Sequence, residues 1–289
     1  MVFPDGSTLR LDIEYKTGKT PPENLMTVHT VTLGWVKATE VTLTLTPGKV
    51  VPPPSGPPAI TVPAGYVAIA DYVTPSVSWN GLGIVNDWVA LSGNDGMAAT
   101  MYEPSQVSLD AAGDAVLTAQ PGGPLGYLGG YVSSPSMFSA GCRVDFAVTI
   151  PSGDGLWSAC WFCTNGSTGE IDVVEVLGKT PSIVYGTTHA TNTTHTGWTQ
   201  SASRNIGPNV FSLVWEPGMV TLACDYIAYA QFTPATFEAN TGQPWPYDTA
   251  QLPAIVSLAV GGPNEWSGPP DASTRFPSAL IVHSVTAYT

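Results

Sequence analysis

The feature that most constrains the fold is a long series of short segments in which apolar and polar residues alternate, from about residue 65 onwards. Gly, Pro, Asn or Asp, the residues that favour tight turns, separate these segments. No segment shows the apolar spacing of a long helix, and 235–242 indicates a single helical turn at most. The pattern predicts an all-β fold, a jelly-roll β-sandwich with a concave cleft. The clearest strand segments are 115–120, 142–150, 155–163, 170–177, 182–190, 210–216, 219–226, 254–260 and 280–288.

The first part of the chain is predicted to be a separate small β unit, residues 1–50. Residues 9–15 and 41–45 alternate apolar and polar side chains, as strands with one buried face do. About 50 residues provide little core, so this unit is expected to dock on a partner, on copies of itself or on the main domain. A proline-rich linker follows at 51–64, and 65–289 forms the main domain.

The charge balance restricts the possible partners. The 289 residues include 22 acidic and 9 basic side chains, a formal net charge of −13. Nucleic acids and anionic membranes are bound through clustered Lys and Arg, so neither is expected and a neutral ligand fits better. No segment reaches the ~20 apolar residues of a membrane span, and residues 1–30 lack the apolar core of a signal peptide. Release by lysis as part of a virus particle would still place the protein outside a cell.

The cysteines indicate neither a redox motif nor a metal site. Cys160 and Cys163 are three residues apart, so in a strand they point to opposite faces. Cys142 and Cys224 lie in apolar alternating runs. All four are predicted to be free, buried and unreactive thiols, and no cofactor is expected.

One strand segment, Gly169–Gly178 (GEIDVVEVLG), carries an unusual amount of charge. In a regular strand Glu170 and Asp172 share a face, whereas Glu175 falls on the other. The simplest interpretation is a solvated strand face. However, the rest of the run is Val and Ile, and a β-bulge at Val173–Val174 would insert one residue and return Glu175 to the face of the other two.

Three carboxylates in a row would suit a retaining glycosidase, in which two carboxyl groups ~5–5.5 Å apart act as nucleophile and acid/base. The intervening Asp172 would couple to both and separate their pKa values. Nearby, Trp157 and Trp161 are four residues apart and share a strand face. Sugar rings stack on such aromatic side chains, which favours a carbohydrate cleft. The later Trp215 is assigned to the core.

Taken in order, these segments resemble glycoside hydrolase family 16, in its laminarinase-like form with a bulged E-x-D-x-x-E signature. The resemblance covers nearly all of 85–289. It rests on EIDVVE at 170–175, the strand pair at 102–119, the Gly-Leu-Trp strand at 155–163, VYGTTHAT at 184–191, the Trp-x-Pro hairpin at 210–226 and Ala-Val-Gly-Gly at 259–262.

The resemblance implies roles for individual residues. It makes Glu170 the nucleophile, Glu175 the acid/base and Asp172 the assisting carboxylate. His189 is expected to hydrogen-bond near the acid/base, although a satisfied strand histidine is the alternative. His195 is assigned to a loop. The implied sugar contacts are Trp157, Trp161 and Trp266.

Two positions depart from the family pattern. Where the family often has Ser-Gly-Arg, this chain has Gly129-Gly130-Tyr131, so a basic sugar contact is missing and Tyr131 is assigned to substrate binding. Near the C-terminus the family's Val-Asp-Tyr, whose Asp can help to hold calcium, reads Val282-His283-Ser284. Calcium prefers oxygen ligands, so no metal site is assumed.

The hypothesis from the sequence is a retaining endo-glycosidase acting on a β-linked glucan or galactan polysaccharide. The main alternative is a non-catalytic carbohydrate-binding module or a structural virion protein, which would not need both Glu170 and Glu175. A transglycosylase would use the same residues. The unit 1–50 favours a homo-oligomer or a phage tail assembly that degrades host polysaccharide, either extracellular or on the virion.

Overall fold

The computed structural model describes residues 75–288 except positions 95, 97, 165, 167 and 192–195. The predicted unit 1–50, the linker 51–64, the first residues of the main domain and His195 lie outside the described residues.

In chain order the strands are β1 (Val77–Asn80), β2 (Val89–Ala90), β3 (Thr100–Tyr102), β4 (Val107–Leu109), β5 (Ala115–Pro121), β6 (Tyr127–Phe138), β7 (Cys142–Thr149), β8 (Leu156–Phe162), β9 (Thr168–Leu177), β10 (Ile183–Thr191), β11 (Gly197–Ser203), β12 (Pro208–Glu216), β13 (Met219–Cys224), β14 (Ile227–Phe232), β15 (Leu252–Val260) and β16 (Ser278–Tyr288). The helical elements are α1 (Gly81–Asp87), α2 (Pro234–Thr241) and a 3₁₀ turn (Pro104–Gln106).

The strands form the two sheets of a jelly-roll sandwich, as predicted. The cleft sheet has the order β11-β10-β9-β8-β15-β6, with β2 beside β6. The outer sheet has the order β5-β16-β7-β12-β13-β14, with β1 beside β16 and β4 beside β5. The sheets join at one corner, where β5 pairs with β6. The described pairings are antiparallel except that of β3 with β6.

The core lies between the sheets because each strand turns alternate side chains inwards. Strand β8 is a clear example. Leu156, Cys160 and Phe162 are buried in the core, while Trp157 and Trp161 are half-buried on the opposite face. All nine segments predicted from alternation are strands, which confirms that the period of two was the correct signal.

The two helices are longer than the sequence analysis predicted. Helix α2 has eight residues where a single turn was expected at 235–242. The Thr233 side chain caps its first turn, and Gly242, with φ 67°, ends it in the left-handed conformation. Phe237 is its one buried residue, so no apolar stripe marks the helix in the sequence. Within the described residues, no helix has the length and apolar character that a bilayer crossing requires.

The four cysteines are free, as predicted. Cys160 faces the core and Cys163 lines the cleft, so the two are on opposite sides of the cleft sheet. Burial raises the pKa of Cys142 and of Cys224 to about 12 and that of Cys160 further, which keeps these thiols protonated. The prediction of burial is wrong for Cys224, which is partly exposed at the end of β13.

Candidate active site

A cleft of about 700 Å³ lies on the concave face of the cleft sheet. Strands β8, β9, β10 and β15 provide its floor, and the segment that follows β2 provides part of one wall. Every residue that the sequence analysis assigned to the site lines this cleft: Tyr131, Trp157, Trp161, Glu170, Asp172, Glu175, His189 and Trp266. Side chains from five separate parts of the chain therefore meet at one surface.

The bulge predicted in β9 is present. Along β8, Cys160 pairs with Val174 and the next residue, Trp161, pairs with Asp172, so Val173 is the additional residue. The pairing with β10 slips at the same place. Because of this inserted residue, Glu175 points to the cleft together with Glu170 and Asp172. The side chains of Ile171, Val173 and Val174 are fully buried.

Two hydrogen bonds orient the carboxyl group of Glu175. The indole Nε1 of Trp157 donates to Oε1 at 3.0 Å, and the hydroxyl of Thr187 lies 3.3 Å from Oε2. An indole N–H can only donate, so Oε1 accepts from Trp157, and Oε2 accepts from the Thr187 hydroxyl. Thr187 also shares a hydrogen bond of 3.0 Å with the hydroxyl of Thr199.

The electrostatic environment keeps a proton in the site at neutral pH. Burial, and after it the negative charge of Asp172, raise the pKa of Glu175 to about 8. The charge of His189 and the Trp157 hydrogen bond oppose this shift in the pKa. Burial also raises the pKa of Asp172. Because the two carboxyl groups are coupled, the retained proton belongs to the pair.

His189 lies beside Asp172 and Glu170, with its Nε2 3.1 Å from Asp172 Oδ2 and 3.9 Å from Glu170 Oε1. Its charge also acts on Glu175, and the expected hydrogen bond near this acid/base stays a prediction. The register explains the direct contacts, since His189 pairs with Glu170 across the two strands and Tyr185 pairs with Glu175. Four residues of strand separate these positions, about 13 Å.

Glu170, Asp172 and His189 are also the residues of the site that could hold a metal ion. Each offers one ligand atom, and these atoms lie within 4.8 Å of one another. The same arrangement suits proton chemistry, since the imidazole can pair with either carboxylate.

Aromatic side chains form two groups along the cleft. In the first, Trp161 donates its indole N–H to Ser257 at 3.2 Å, and the ring of Tyr131 packs edge-on against it with centroids 6.0 Å apart. In the second, the ring of Trp266 lies 4.9 Å from that of Tyr185 and 5.7 Å from that of Trp157. Trp266 is 42% exposed and stands at the lip of the cleft.

The sequence profile of one protein family, glycosyl hydrolases family 16, matches residues 94–274, more than half of the chain. The chain belongs to this family. The matched range contains all the site residues that were assigned from the sequence. The family membership predicted from the E-x-D-x-x-E signature and its neighbouring segments is therefore confirmed.

Individual relatives agree with the family assignment. The chain is 29% identical over 164 residues to a beta-glucanase of Rhodothermus marinus, and the match covers 50% of this chain and 56% of that protein. The chain thus spans about half the length of this relative. The solved endo-beta-1,3-glucanase of Pyrococcus furiosus superposes with a TM-score of 0.63 at 26% identity over 74% of this chain and 91% of that one. The laminarinase catalytic domain of Thermotoga maritima shares the fold, with a TM-score of 0.64 at 22% identity over 75% and 98% of the two chains.

Some residues in contact with the candidate site were missed by the sequence analysis. Tyr185 and Thr187 precede His189 at intervals of two, so alternation along β10 predicts one face for all three. Thr187 and His189 line the cleft, and Tyr185 packs against Trp266. Tyr247 carried no local signal, although its hydroxyl lies 2.9 Å from the carbonyl oxygen of Glu170 and 2.6 Å from that of His189.

Three further tryptophans of the described part of the chain lie elsewhere. Trp215 is fully buried and donates to the carbonyl of Tyr247, which confirms its assignment to the core. Trp198 packs against Phe232, and Trp245 hydrogen-bonds Asp248. None of the three is among the described residues that line the cleft.

The first departure from the family 16 pattern has a packing explanation. A Cβ at Gly129 would come within 2.5 Å of the Leu258 carbonyl oxygen, and one at Gly130 within 2.8 Å of the Leu117 Cβ. Both glycines therefore permit close contact with the neighbouring strands, and Tyr131 after them points into the cleft. Among the described lining residues there is no Lys or Arg.

The second departure replaces a carboxylate by an imidazole. His283 is the extra residue of a bulge in β16. Its Nδ1 lies 2.6 Å from Asp114 Oδ2 and its Nε2 lies 2.9 Å from Thr149 Oγ1. Both ring nitrogens are thus engaged with protein oxygens, and the residues present do not fit a calcium site.

Proposed function

We propose that this family 16 chain is a retaining endo-glycosidase that hydrolyses a β-linked polysaccharide. The observation that carries the proposal is the bulge in β9, which brings Glu170, Asp172 and Glu175 to one face of the cleft. A sugar-binding module needs a groove and aromatic side chains. It has no use for a buried carboxyl group that retains its proton beside two further carboxyl groups.

In the first step Glu170 is the nucleophile. Its carboxylate attacks the anomeric carbon, and the bond from that carbon to the glycosidic oxygen breaks. Glu175 transfers its proton to the departing oxygen, so the leaving sugar departs as an alcohol. Trp157 and Thr187 hold the Glu175 carboxyl group in the orientation for this transfer.

In the second step Glu175 is the base. As a carboxylate it takes a proton from water, the water oxygen attacks the anomeric carbon, and the ester to Glu170 breaks. Two inversions at the same carbon leave the product in the β configuration. The Asp172–His189 pair lies beside Glu170 and orients the nucleophile through both steps.

The composition of the cleft supports a neutral glycan as substrate. Three carboxyl groups and the absence of Lys or Arg among its described residues disfavour a sulfated or uronic polymer. The aromatic residues of both groups offer faces for sugar rings. The relatives bear the names beta-glucanase and endo-beta-1,3-glucanase, so a β-1,3-linked glucan ranks first and a galactan second.

A panel of laminarin, lichenan, agar and actinobacterial cell-wall glycans, assayed for new reducing ends, tests the activity. On any active substrate, proton NMR of the first-formed product should show the β anomer, and an initial α anomer would exclude the retaining mechanism. Glu170→Gln should reduce turnover by several orders of magnitude while sugar binding is retained. Binding without cleavage in the unaltered protein would favour the non-catalytic alternative.

The covalent intermediate can also pass its sugar to a hydroxyl group instead of to water. Mass spectrometry of reactions with an added oligosaccharide acceptor distinguishes the two outcomes, because transfer yields products longer than the substrate. Hydrolysis alone yields only shorter ones.

We also propose that residues 1–50 attach the enzyme to a phage tail, to another surface assembly or to copies of itself. The support comes from the sequence, in which alternating segments precede a proline-rich linker. A protein that begins at Ala59 should keep its glycosidase activity and lose the assembly. Light scattering that shows the same mass for the full and shortened chains would contradict the docking role.

A further inference from the structure

The bulge that places Glu175 in the cleft is in contact with the opposite sheet. Val173, the extra residue of β9, is paired in register with neither β8 nor β10. A bulge interrupts the strand ladder and leaves polar backbone groups in need of other partners. The Tyr229 hydroxyl, from β14 of the outer sheet, crosses the core and donates a hydrogen bond to the carbonyl oxygen of Val173.

Tyr229 reaches this carbonyl because β14 is irregular as well. Along β13, Leu222 pairs with Ala230 and the next residue, Ala223, pairs with Ala228, so Tyr229 is the extra residue of its own strand. In a regular strand Tyr229 would point away from the face that Ala230 and Phe232 present to the core. The irregularity turns it inwards, and it is 9% exposed. Two bulges, one in each sheet, therefore face each other and are joined by one hydrogen bond.

The neighbouring strand leaves room for this contact. Gly186 of β10 lies beside the bulge, and a Cβ at this position would come within 2.7 Å of the Tyr229 hydroxyl and 2.4 Å of Leu222 Cδ1. Any larger residue would push the tyrosine away from Val173. Gly186 leaves the space that the Tyr229 hydroxyl occupies, and this hydroxyl binds the Val173 carbonyl oxygen.

We propose that Tyr229 is a positioning residue for the acid/base, which acts on Glu175 through the bulge without lining the cleft. This inference rests on the function proposed above. The hydrogen bond to Val173 fixes the backbone two residues before Glu175 and so sets the direction in which its carboxyl group points. The glycosyl leaving group receives its proton from this carboxyl group, and a displacement of about 1 Å reduces such a step by about 10²-fold.

A second tyrosine, Tyr247, lies between α2 and β15 and also contacts the backbone of β9, so it provides a matched control. The Tyr247 hydroxyl contacts the carbonyl oxygens of Glu170 and His189, at the nucleophile end of the carboxylate row. Both tyrosines are buried, both approach the strand from outside the cleft, and each contacts the backbone through its hydroxyl group. Replacing either with Phe removes one oxygen atom. The two variants thus remove backbone contacts at different ends of the carboxylate row.

The kinetic test uses a polysaccharide and an activated aryl glycoside whose leaving group hardly needs a proton. Tyr229→Phe should lower kcat/KM on the polysaccharide by about 10- to 100-fold and on the aryl glycoside by less than about threefold. Tyr247→Phe should lower both by similar factors, because the nucleophile attacks in both reactions. Equal losses on the two substrates for Tyr229→Phe, or no loss on either, would overturn the inference.

A spectroscopic readout is independent of activity. The Trp157 indole N–H donates to Glu175, so its proton resonance reports the position of that carboxyl group. Tyr229→Phe should shift this resonance, and Tyr247→Phe should leave it in place. An unchanged Trp157 resonance in folded Tyr229→Phe would refute the positioning role, whether or not the protein proves to be an enzyme.

A parallel measurement separates failure of the inference from failure of the proposed function. Glu175→Ala with full activity on polysaccharide would show that the proposed function is wrong. An inactive Glu175→Ala beside a fully active Tyr229→Phe would refute only the role of Tyr229. If Tyr229→Phe does not fold, Gly186→Ala provides the same test. It should lower kcat/KM more on the polysaccharide than on the aryl glycoside, and equal losses on the two substrates would overturn the inference.

Discussion

The two sheets of the sandwich both bury charged side chains, but they compensate the charges differently. In the outer sheet, Arg143 forms two parallel hydrogen bonds to Asp145, at 2.8 and 2.6 Å. The guanidinium also lies 5.3 Å from the ring of Tyr226 and 5.0 Å from that of Tyr288. One cation meets one anion there, and both are almost fully buried. Such a pair, with both partners hydrogen-bonded to each other, contributes to structure.

The cleft sheet buries three carboxyl groups with one imidazole beside them. Glu170, Asp172 and Glu175 are 8%, 4% and 8% exposed, and His189 faces the first two. Negative charge is therefore in excess, and burial holds the pKa of Asp172 and of Glu175 above their ordinary values. Burial of similar depth therefore has different consequences in the two sheets: the paired charges compensate each other, whereas the unpaired carboxyl groups retain a proton that can be transferred.

The largest expected effect is loss of the proton donor. Glu175→Ala should reduce kcat/KM on polysaccharide by about 10²–10⁴-fold, the usual contribution of a general acid, and should affect activated aryl glycosides less. Glu238→Ala, which removes an exposed carboxylate of α2, is the control and should behave as the unaltered protein. If both variants keep full activity on polysaccharide, the unmatched carboxyl group is not the acid.

The next effect concerns the matched pair. Arg143→Met should lower the free energy of unfolding by about 3–5 kcal/mol, because Asp145 would remain buried without its cation. Urea denaturation measures this loss, and kcat/KM of the folded fraction should stay within about twofold because the pair lies outside the cleft. The double variant Arg143→Met/Asp145→Leu should recover most of the stability. A similar loss in the double variant would mean that packing against Tyr226 and Tyr288, rather than charge, explains the effect.

The pH dependence of activity should follow the proton of Glu175. Since its pKa is raised to about 8, kcat/KM should fall as the pH rises through that value. The Trp157 hydrogen bond lowers this pKa, so Trp157→Phe should move the alkaline limb to higher pH. Trp161→Phe is the matched control, because its indole donates to Ser257 and the limb should not move. If the alkaline limb moves equally in Trp157→Phe and Trp161→Phe, lost sugar contacts explain the shift and the Trp157 hydrogen bond does not.

The smallest effect is a gain in stability. The pKa of Glu175 is raised in the folded state, so the folded protein binds a proton that the unfolded chain releases between the ordinary value of 4.5 and about 8. Stability is thus lost as the pH rises through this window. Glu175→Gln removes the titration and should be more stable than the unaltered protein by about 1 kcal/mol at pH 8 and equally stable at pH 4. Thermal unfolding at pH 8 and at pH 4 measures this gain in stability. A gain of the same size at both pH values would contradict a raised pKa of Glu175.

Much of the fold and of the site could be predicted from the sequence because both depend on local alternation. The strand segments follow from the period of two, and the bulge follows from the spacing of Glu170, Asp172 and Glu175, which a regular strand could not place on one face. Helix α1 was missed. It has seven residues and begins with an Asn80 cap, and two of its residues are buried, so its apolar pattern is too short to detect.

Alternation and the spacing of three carboxyl groups were sufficient to predict a β-sandwich of family 16 with these groups on one bulged strand. The partners of the three groups could be identified only from the packing of the folded chain. Trp157 reaches Glu175 because β8 lies beside β9, His189 meets Glu170 and Asp172 because of the register of β10, and Tyr229 reaches the bulge from the opposite sheet. Alternation specifies the face on which a side chain lies. Strand order, register and the packing of the two sheets specify what it touches, and these depend on contacts between residues far apart in the chain.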